Sequence, residues 1–164
     1  MRLVGAAATG PVSVVIRPDL DRVARAFDTI TDEQWDAAWE SPMRAVIAEL
    51  QLAFHSGAQR IVVVLPTTAM SGGASYAHVA ATAEAIRVLV KSAARQWGAH
   101  GVTVNAVAIA PEEFLASPDV AGPQALAAAA LSSRDPAALI DFLCSEASGD
   151  VTGQTIVVDG GVWM

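Results

Sequence analysis

Charge is scarce in this chain. Asp, Glu, Lys and Arg make up 16% of its 164 residues, against about 25% in an average soluble protein. Positive charge is the scarcer sign: ten Lys and Arg stand against seventeen Asp and Glu, the net charge is −7, and Lys91 is the single lysine. With no basic stripe, an electrostatic nucleic-acid surface is excluded, and the acidic balance serves solubility. Cys144 is the single cysteine. It sits in the apolar helical pattern LIDFLCSEA, so it reads as a small buried hydrophobe in a reducing compartment, and an internal disulfide is excluded. Apolar runs of membrane-spanning length are missing, because charges and prolines interrupt each one. Arg2 is followed by no signal-peptide apolar region, so the expectation is a cytoplasmic protein.

What the chain has in quantity is apolar: 53% of its residues are hydrophobic, and much of that is alanine. Its length suits one domain with a real core. A small domain so poor in charge has trouble covering itself with polar groups, which favours burial of part of its surface against another subunit.

Along the chain, strand and helix patterns alternate. Residues 2–8 offer a short strand and Pro11 ends it. Val12–Ile16 (VSVVI) is a β-branched run that fits a buried parallel strand. Arg17-Pro18-Asp19 is a turn, and Leu20–Phe27 has a short helical pattern. Thr31 reads as a helix N-cap with Asp32 and Glu33 in the first turn, where acidic groups suit the positive helix end. Trp35, Trp39, Met43, Ile47, Leu50 and Phe54 follow at helical spacing, and Pro42 is expected to kink or divide this helix. Gly57 is the expected residue after its cap. Ile61–Leu65 is a second strand, Pro66–Ser75 a loop, Ala77–Trp97 a long helix, 98–101 a turn and Val102–Ala108 a third strand. Pro111–Gly122 reads as loop and Pro123–Leu131 as helix. A helix capped by Asp135, with Pro136 in its first turn, is expected to reach about Glu146. Thr155–Asp159 is the last strand. The expectation is an α/β fold: a parallel sheet with helices on both faces.

Three motifs stand out. DVTGQTIVVDGG (Asp150–Gly161) resembles the T-G-Q-x-i-x-V-D-G-G segment of the short-chain dehydrogenase/reductases. GVTVNAVA (Gly101–Ala108) is similar to that family's G-I-R-V-N-x-V-x-P-G strand. DEQWDAAW (Asp32–Trp39) is like the segment opening the helix before its catalytic strand. The resemblance runs from about Val12 to Gly161 and implies a truncated, Rossmann-like (doubly wound) sheet. It also implies that the single domain, residues 1–164, lacks the N-terminal dinucleotide-binding units. In the family, a Tyr and a Lys four residues on lie in a helix that ends in K-S-x-A. Counting back from KSAA (Lys91–Ala94) puts these positions at Val79 and Ala83 and the family's Ser, thirteen residues before the Tyr, at Pro66; the family's Asn, seven residues after Trp35, falls on Pro42. A phenol that moves a proton, an ammonium that lowers its pKa and a hydroxyl that holds substrate oxygen are what that chemistry needs. Val, Ala and Pro supply none of them. Tyr76 lies three residues early with Ala80 four further on, and reads as a loop tyrosine; Lys91 reads as a solvated side chain. The N-N-A-G turn falls on Ile16–Asp19 and the P-G on Ile109-Ala110. GAAATG (Gly5–Gly10) lacks the following helix of a dinucleotide fingerprint.

The resulting expectation is an inactive subunit without a cofactor or metal, assembling with an active paralogue of the family or with itself, and touching neither membrane nor nucleic acid. The resemblance implies pairing through the 77–97 helix and its predecessor, and through the last strand. Ala81, Ala85, Val88, Leu89, Trp97, Val157, Trp163 and Met164 are the expected interface residues. Two alternatives stand beside it. One is non-redox acid–base chemistry (dehydration, isomerisation or cyclisation) using His78, Glu84, Glu112, Glu113 or Tyr76, although the first two are not on one helix face and read as surface polar residues. The other is a retained NAD(P)-dependent oxidoreductase.

Overall fold

A computed structural model describes residues 2–4, 10–123 and 135–161. Its sheet has five strands in chain order: β1 (Arg2–Val4), β2 (Ser13–Ile16), β3 (Arg60–Pro66), β4 (Thr103–Ile109) and β5 (Thr155–Val158). β2 to β5 are parallel. Every residue of β4 and all of β3 except Arg60 are buried, as unbroken β-branched and apolar runs require when helices cover both faces. The helices are α1 (Asp32–His55), the short α2 (Thr68–Ser71), α3 (Ala77–Trp97) and α4 (Ala137–Leu143). α1 packs against α3. Ile61, Leu65, Ile86, Ile109 and Leu143 are among the fully buried side chains between sheet and helices.

Departures from the local patterns have physical causes. β1 runs antiparallel to β2, with Arg2 opposite Val15. Residues 5–12 are too few for the crossover of roughly a dozen or more residues that a parallel pair needs. Residues 20–26 are irregular, with a bend at Val23, and not helical. The Asp21 carboxylate accepts the Val23 N–H at 3.0 Å, and the Arg25 N–H goes to the Ser75 carbonyl at 2.7 Å. A short acidic side chain has outcompeted the helix for the backbone. α4 is shorter than its pattern. Asp135 does accept the Ala137 N–H at 2.9 Å, but the Ser148 hydroxyl takes the Leu143 carbonyl at 2.9 Å and the chain turns. The expected helix from Pro123 falls on residues 124–134, outside those described.

α1 begins as expected, with a reciprocal capping box between Thr31 and Gln34, and ends at Gly57, whose φ is +81°. Pro42 does not divide it. Proline has no N–H for its helical acceptor, the Ala38 carbonyl. The Thr82 hydroxyl of α3 supplies a donor instead, 3.0 Å from that oxygen. The same hydroxyl lies 2.9 Å from the His78 carbonyl, so one proton serves two acceptors. Thr82→Val keeps the shape and orphans a buried carbonyl. It is expected to cost about 1–2 kcal/mol, read in urea unfolding as a lower midpoint at unchanged slope.

Candidate functional site

The four positions singled out by the resemblance are packed. Pro42 is buried within α1, Pro66 is buried at the carboxyl end of β3, and Val79 and Ala83 are buried in the first turns of α3. The Thr82–Ala38 contact brings the Pro42 turn of α1 against the turn of α3 that holds Val79 and Ala83. None of these four side chains can donate, accept or titrate. Sequence reading missed Thr67 and Thr68, directly after Pro66. Both are buried, and their hydroxyls have no hydrogen-bond partner among the described residues.

In open α/β sheets the ligand crevice lies outside the carboxyl ends of the strands. Here the loops that follow β2 and β4 meet across the end of β3. Arg17 donates to the Glu113 carboxylate at 2.6 Å and to the Glu113 carbonyl at 3.2 Å, and its guanidinium lies 4.5 Å from the Phe114 ring centre. Arg22 donates to the same carbonyl at 2.9 Å. Tyr76 is the knot. Its hydroxyl accepts the Ser117 N–H at 3.0 Å and donates to the Arg22 carbonyl at 3.4 Å. The expected loop tyrosine is therefore fully buried, with relative exposure 0%. The Ala116 N–H also reaches the Arg22 carbonyl, at 2.9 Å. Two small open clefts flank this lacing. One, about 240 Å³, is lined by Asp19, Leu20, Asp21, Ser41 and Pro42 among others. The second, about 180 Å³, lies against Arg17, Arg22, Glu113 and Phe114.

His78 overturns the expectation of a surface residue. Its side chain has no exposure, and Nε2 lies 3.7 Å from the Asp21 carboxylate. Neither ring nitrogen has a hydrogen-bond partner among the described residues. Burial pushes its pKa below the ordinary histidine value, and the attraction of Asp21 offsets only part of that. Burial by itself would raise Asp21. The Val23 N–H, the Arg25 side chain and the charges of Arg25 and His78 outweigh it and hold the carboxyl below its ordinary value. The Tyr76 ring stacks beside the imidazole at 6.3 Å between centres.

Of the other candidates, Glu113 belongs to the lacing through Arg17 and Arg22. Glu84 is engaged by Arg87 of its own helix at 2.5 and 2.6 Å. Glu112 and Glu113 flank a shallow cleft with Ile109 and Ala110. Lys91 is exposed, as expected. The Cys144 thiol is half-buried and pushed up by burial, which suits an inert side chain.

Of the expected interface residues, Ala81, Ala85 and Val88 form one stripe on α3 with Ser92, turned away from the buried Val79, Ala83, Ile86 and Val90. Val88 is 48% exposed and Leu89 half-buried beside it. Trp39 and Ile47 of α1 are also more than a third exposed. Val157 is half-buried on β5, an edge strand among the described residues. Trp97 is half-buried, with its ring stacked on Phe54 at 4.7 Å between centres. Trp163 and Met164 lie outside the described residues.

The two strongest sequence motifs prove to be one structural clip. Asn105 of β4 donates to the Val151 carbonyl at 2.7 Å and accepts the Gln154 N–H at 3.0 Å. The Thr152 hydroxyl accepts the Val104 N–H at 3.2 Å, and the Gly153 N–H reaches the Val104 carbonyl at 2.8 Å. Gly153 has φ +69°, which a side chain would strain. The motifs hold the last strand to the sheet.

Comparison with known proteins agrees with this architecture. The family model for Enoyl-(Acyl carrier protein) reductase matches residues 15–163. A short-chain dehydrogenase/reductase of Armillaria gallica is 31% identical over 155 residues, covering 83% of this chain and 59% of its own. An A-factor type gamma-butyrolactone 1'-reductase of Streptomyces virginiae is 32% identical over 151 residues, covering 82% and 56%. The chain thus spans under three fifths of the length of these two relatives. A solved short-chain dehydrogenase/reductase from Serratia marcescens superimposes with a TM-score of 0.69 over 90% of this chain and 64% of its own; at 22% identity this shows the fold. No helix of the described residues is long and apolar enough to cross a membrane. Motifs, parallel sheet and family match converge: the chain belongs to the short-chain dehydrogenase/reductase family.

Proposed function

We propose that this chain is a non-catalytic member of its family, a subunit that assembles through the outer face of α1 and α3 and the edge of β5. A full-length, active reductase of the same family is the favoured partner, and the role is stabilising or regulatory. The observation that carries this reading is the lacing of the crevice. Arg17, Arg22, Tyr76 and Glu113 tie together the loops that would have to part for a dinucleotide, while the aligned catalytic positions hold buried Pro42, Pro66, Val79 and Ala83. A small-residue stripe on α3 permits close approach of a second helix.

The competing reading, an active oxidoreductase, draws support from relatives whose names are those of reductases. It requires a dinucleotide site. Acid–base chemistry without redox draws support from one observation, the buried His78 beside Asp21, which lines the 240 Å³ cleft. Against it, His78 itself has no exposure.

Co-expression with a full-length family reductase from the same genome tests the proposal. The expected result is a co-eluting complex that Ala85→Arg disperses, with no heat or fluorescence change on titration of NAD(H) or NADP(H). A soluble homotetramer that does not exchange with the reductase would reject the heteromeric partner. Saturable dinucleotide binding with turnover would reject the non-catalytic role.

A further inference from the structure

The unpartnered imidazole of His78 sits where the strap of residues 20–26 is fastened to the start of α3. Such a group is costly to bury, since a polar side chain in the interior ordinarily finds a partner. Asp21 does not provide one in its present pose, since its Oδ2 lies 3.7 Å from Nε2. Its Oδ2 receives the Arg25 side chain at 2.8 and 3.2 Å, and its Oδ1 receives the Val23 N–H at 3.0 Å. The charged groups acting on His78 are Asp21 and Arg25, both from the strap. From its own helix the Tyr76 ring faces it, and a backbone group of Val23 approaches outside hydrogen-bond geometry. The strap in turn holds the crevice loops, through Arg25 N–H to Ser75, Tyr76 hydroxyl to Arg22, and Ala116 N–H to Arg22.

We propose that Asp21 and His78 form an acid-operated latch: a proton on His78 releases residues 20–26 from α3 and opens the crevice over the end of β3. With the imidazole neutral, it sits buried and uncharged beside Asp21. Protonation creates a cation 3.7 Å from Oδ2, with the Arg25 guanidinium on the same carboxylate. Two routes relieve it. Asp21 turns to His78 and drops Val23 and Arg25, or the imidazole moves out to water. Both undo the turn at residues 21–25 and free the Arg22 carbonyl from Tyr76.

The sign follows from linkage. Burial lowers the His78 pKa in the latched state, so the open state binds the proton more tightly. The latch is fully stable above the ordinary histidine value of about 6.5 and weakens as pH falls through the lower, latched value. Asp21 is itself held below its ordinary value, so its own protonation enters only at more acidic pH. The latch does not depend on the subunit reading, since it concerns access to the crevice whether or not a partner or ligand enters.

Amide hydrogen exchange on the full chain, corrected for the intrinsic pH dependence, tests it at Val23, Arg25, Ala116 and Ser117. Between about pH 7.5 and pH 5, protection of these amides is expected to fall by clearly more than about twofold, in the direction that the lowered His78 pKa dictates. Strands β3 and β4 keep theirs. His78→Phe, which keeps a ring of similar size and removes the proton site, is expected to hold protection within about twofold over the same range. Unchanged protection in the native protein, or equal loss in His78→Phe, overturns the latch. Should that variant fail to fold, NMR titration of His78 in a His55→Gln, His100→Gln background decides. A midpoint at or above the ordinary histidine value overturns the proposal, and a depressed midpoint coincident with loss of amide protection upholds it.

Discussion

Ala83→Lys is expected to unfold the protein or to cost about 3–5 kcal/mol, the penalty of an uncompensated buried charge. The substitution restores the family's lysine at the aligned position. Ala83 has 0% exposure and faces the core between Val79 and Ile86. The Asp21 carboxylate near this end of α3 is already engaged by Arg25 and Val23. Against a typical total stability of about 5–15 kcal/mol, such a loss is readily seen in guanidinium unfolding. Val79→Tyr, also fully buried, overpacks the same wall and is expected to add about 1–3 kcal/mol. If Ala83→Lys instead folds with under about 1 kcal/mol lost, the position faces an open cleft, and the reading of a packed-in catalytic wall is wrong.

The second large effect concerns Asn105. Its side chain is 1% exposed and serves the Val151 carbonyl and the Gln154 N–H together. Asn105→Ala orphans both backbone groups at the joint between β4 and β5. The expected cost is about 2–3 kcal/mol, two hydrogen bonds with their unmet partners. Asn105→Asp is expected to be no better. It keeps an acceptor for Gln154 and turns a carboxylate oxygen toward the Val151 carbonyl. Denaturant unfolding gives the cost, and amide exchange at Gln154 and Ala106 shows whether β5 is the part that loosens. A neutral Asn105→Ala would separate the two sequence motifs from any role in holding the sheet.

Much of the architecture is local in origin and was readable as such. The runs at Ile61–Leu65 and Val102–Ala108 are too apolar for any place but a two-sided core. The Thr31 cap with Gln34, and Gly57 at the far end, mark the limits of α1 within one turn of chain. Helix α3 has the limits that its pattern predicts. The candidate site was less legible. His78 and Glu84 look alike in sequence, two polar residues on one helix. One is sealed under the strap, and the other is paired with Arg87 on the outside. Tyr76 seemed a loop residue because the groups that bury it, Arg22 and Ser117, are 54 and 41 positions away. No periodicity carries that information.

By itself, the sequence determined the order and kind of the long elements, the parallel run of β2 to β5 and the family, because strand runs, caps and motifs act over a few neighbouring residues. Only the tertiary structure decided the rest. β1 turned antiparallel because its connection is short. Residues 20–26 stayed out of a helix because Asp21 and Ser75 claimed their amides. α1 ran on through Pro42 because a hydroxyl from α3 met the carbonyl that proline cannot serve. The deciding terms are a contact brought in from another element, a side chain's own claim on the backbone or a limit on reach, and such terms outweigh propensities of a few tenths of a kcal/mol per residue, up to about 3 for proline.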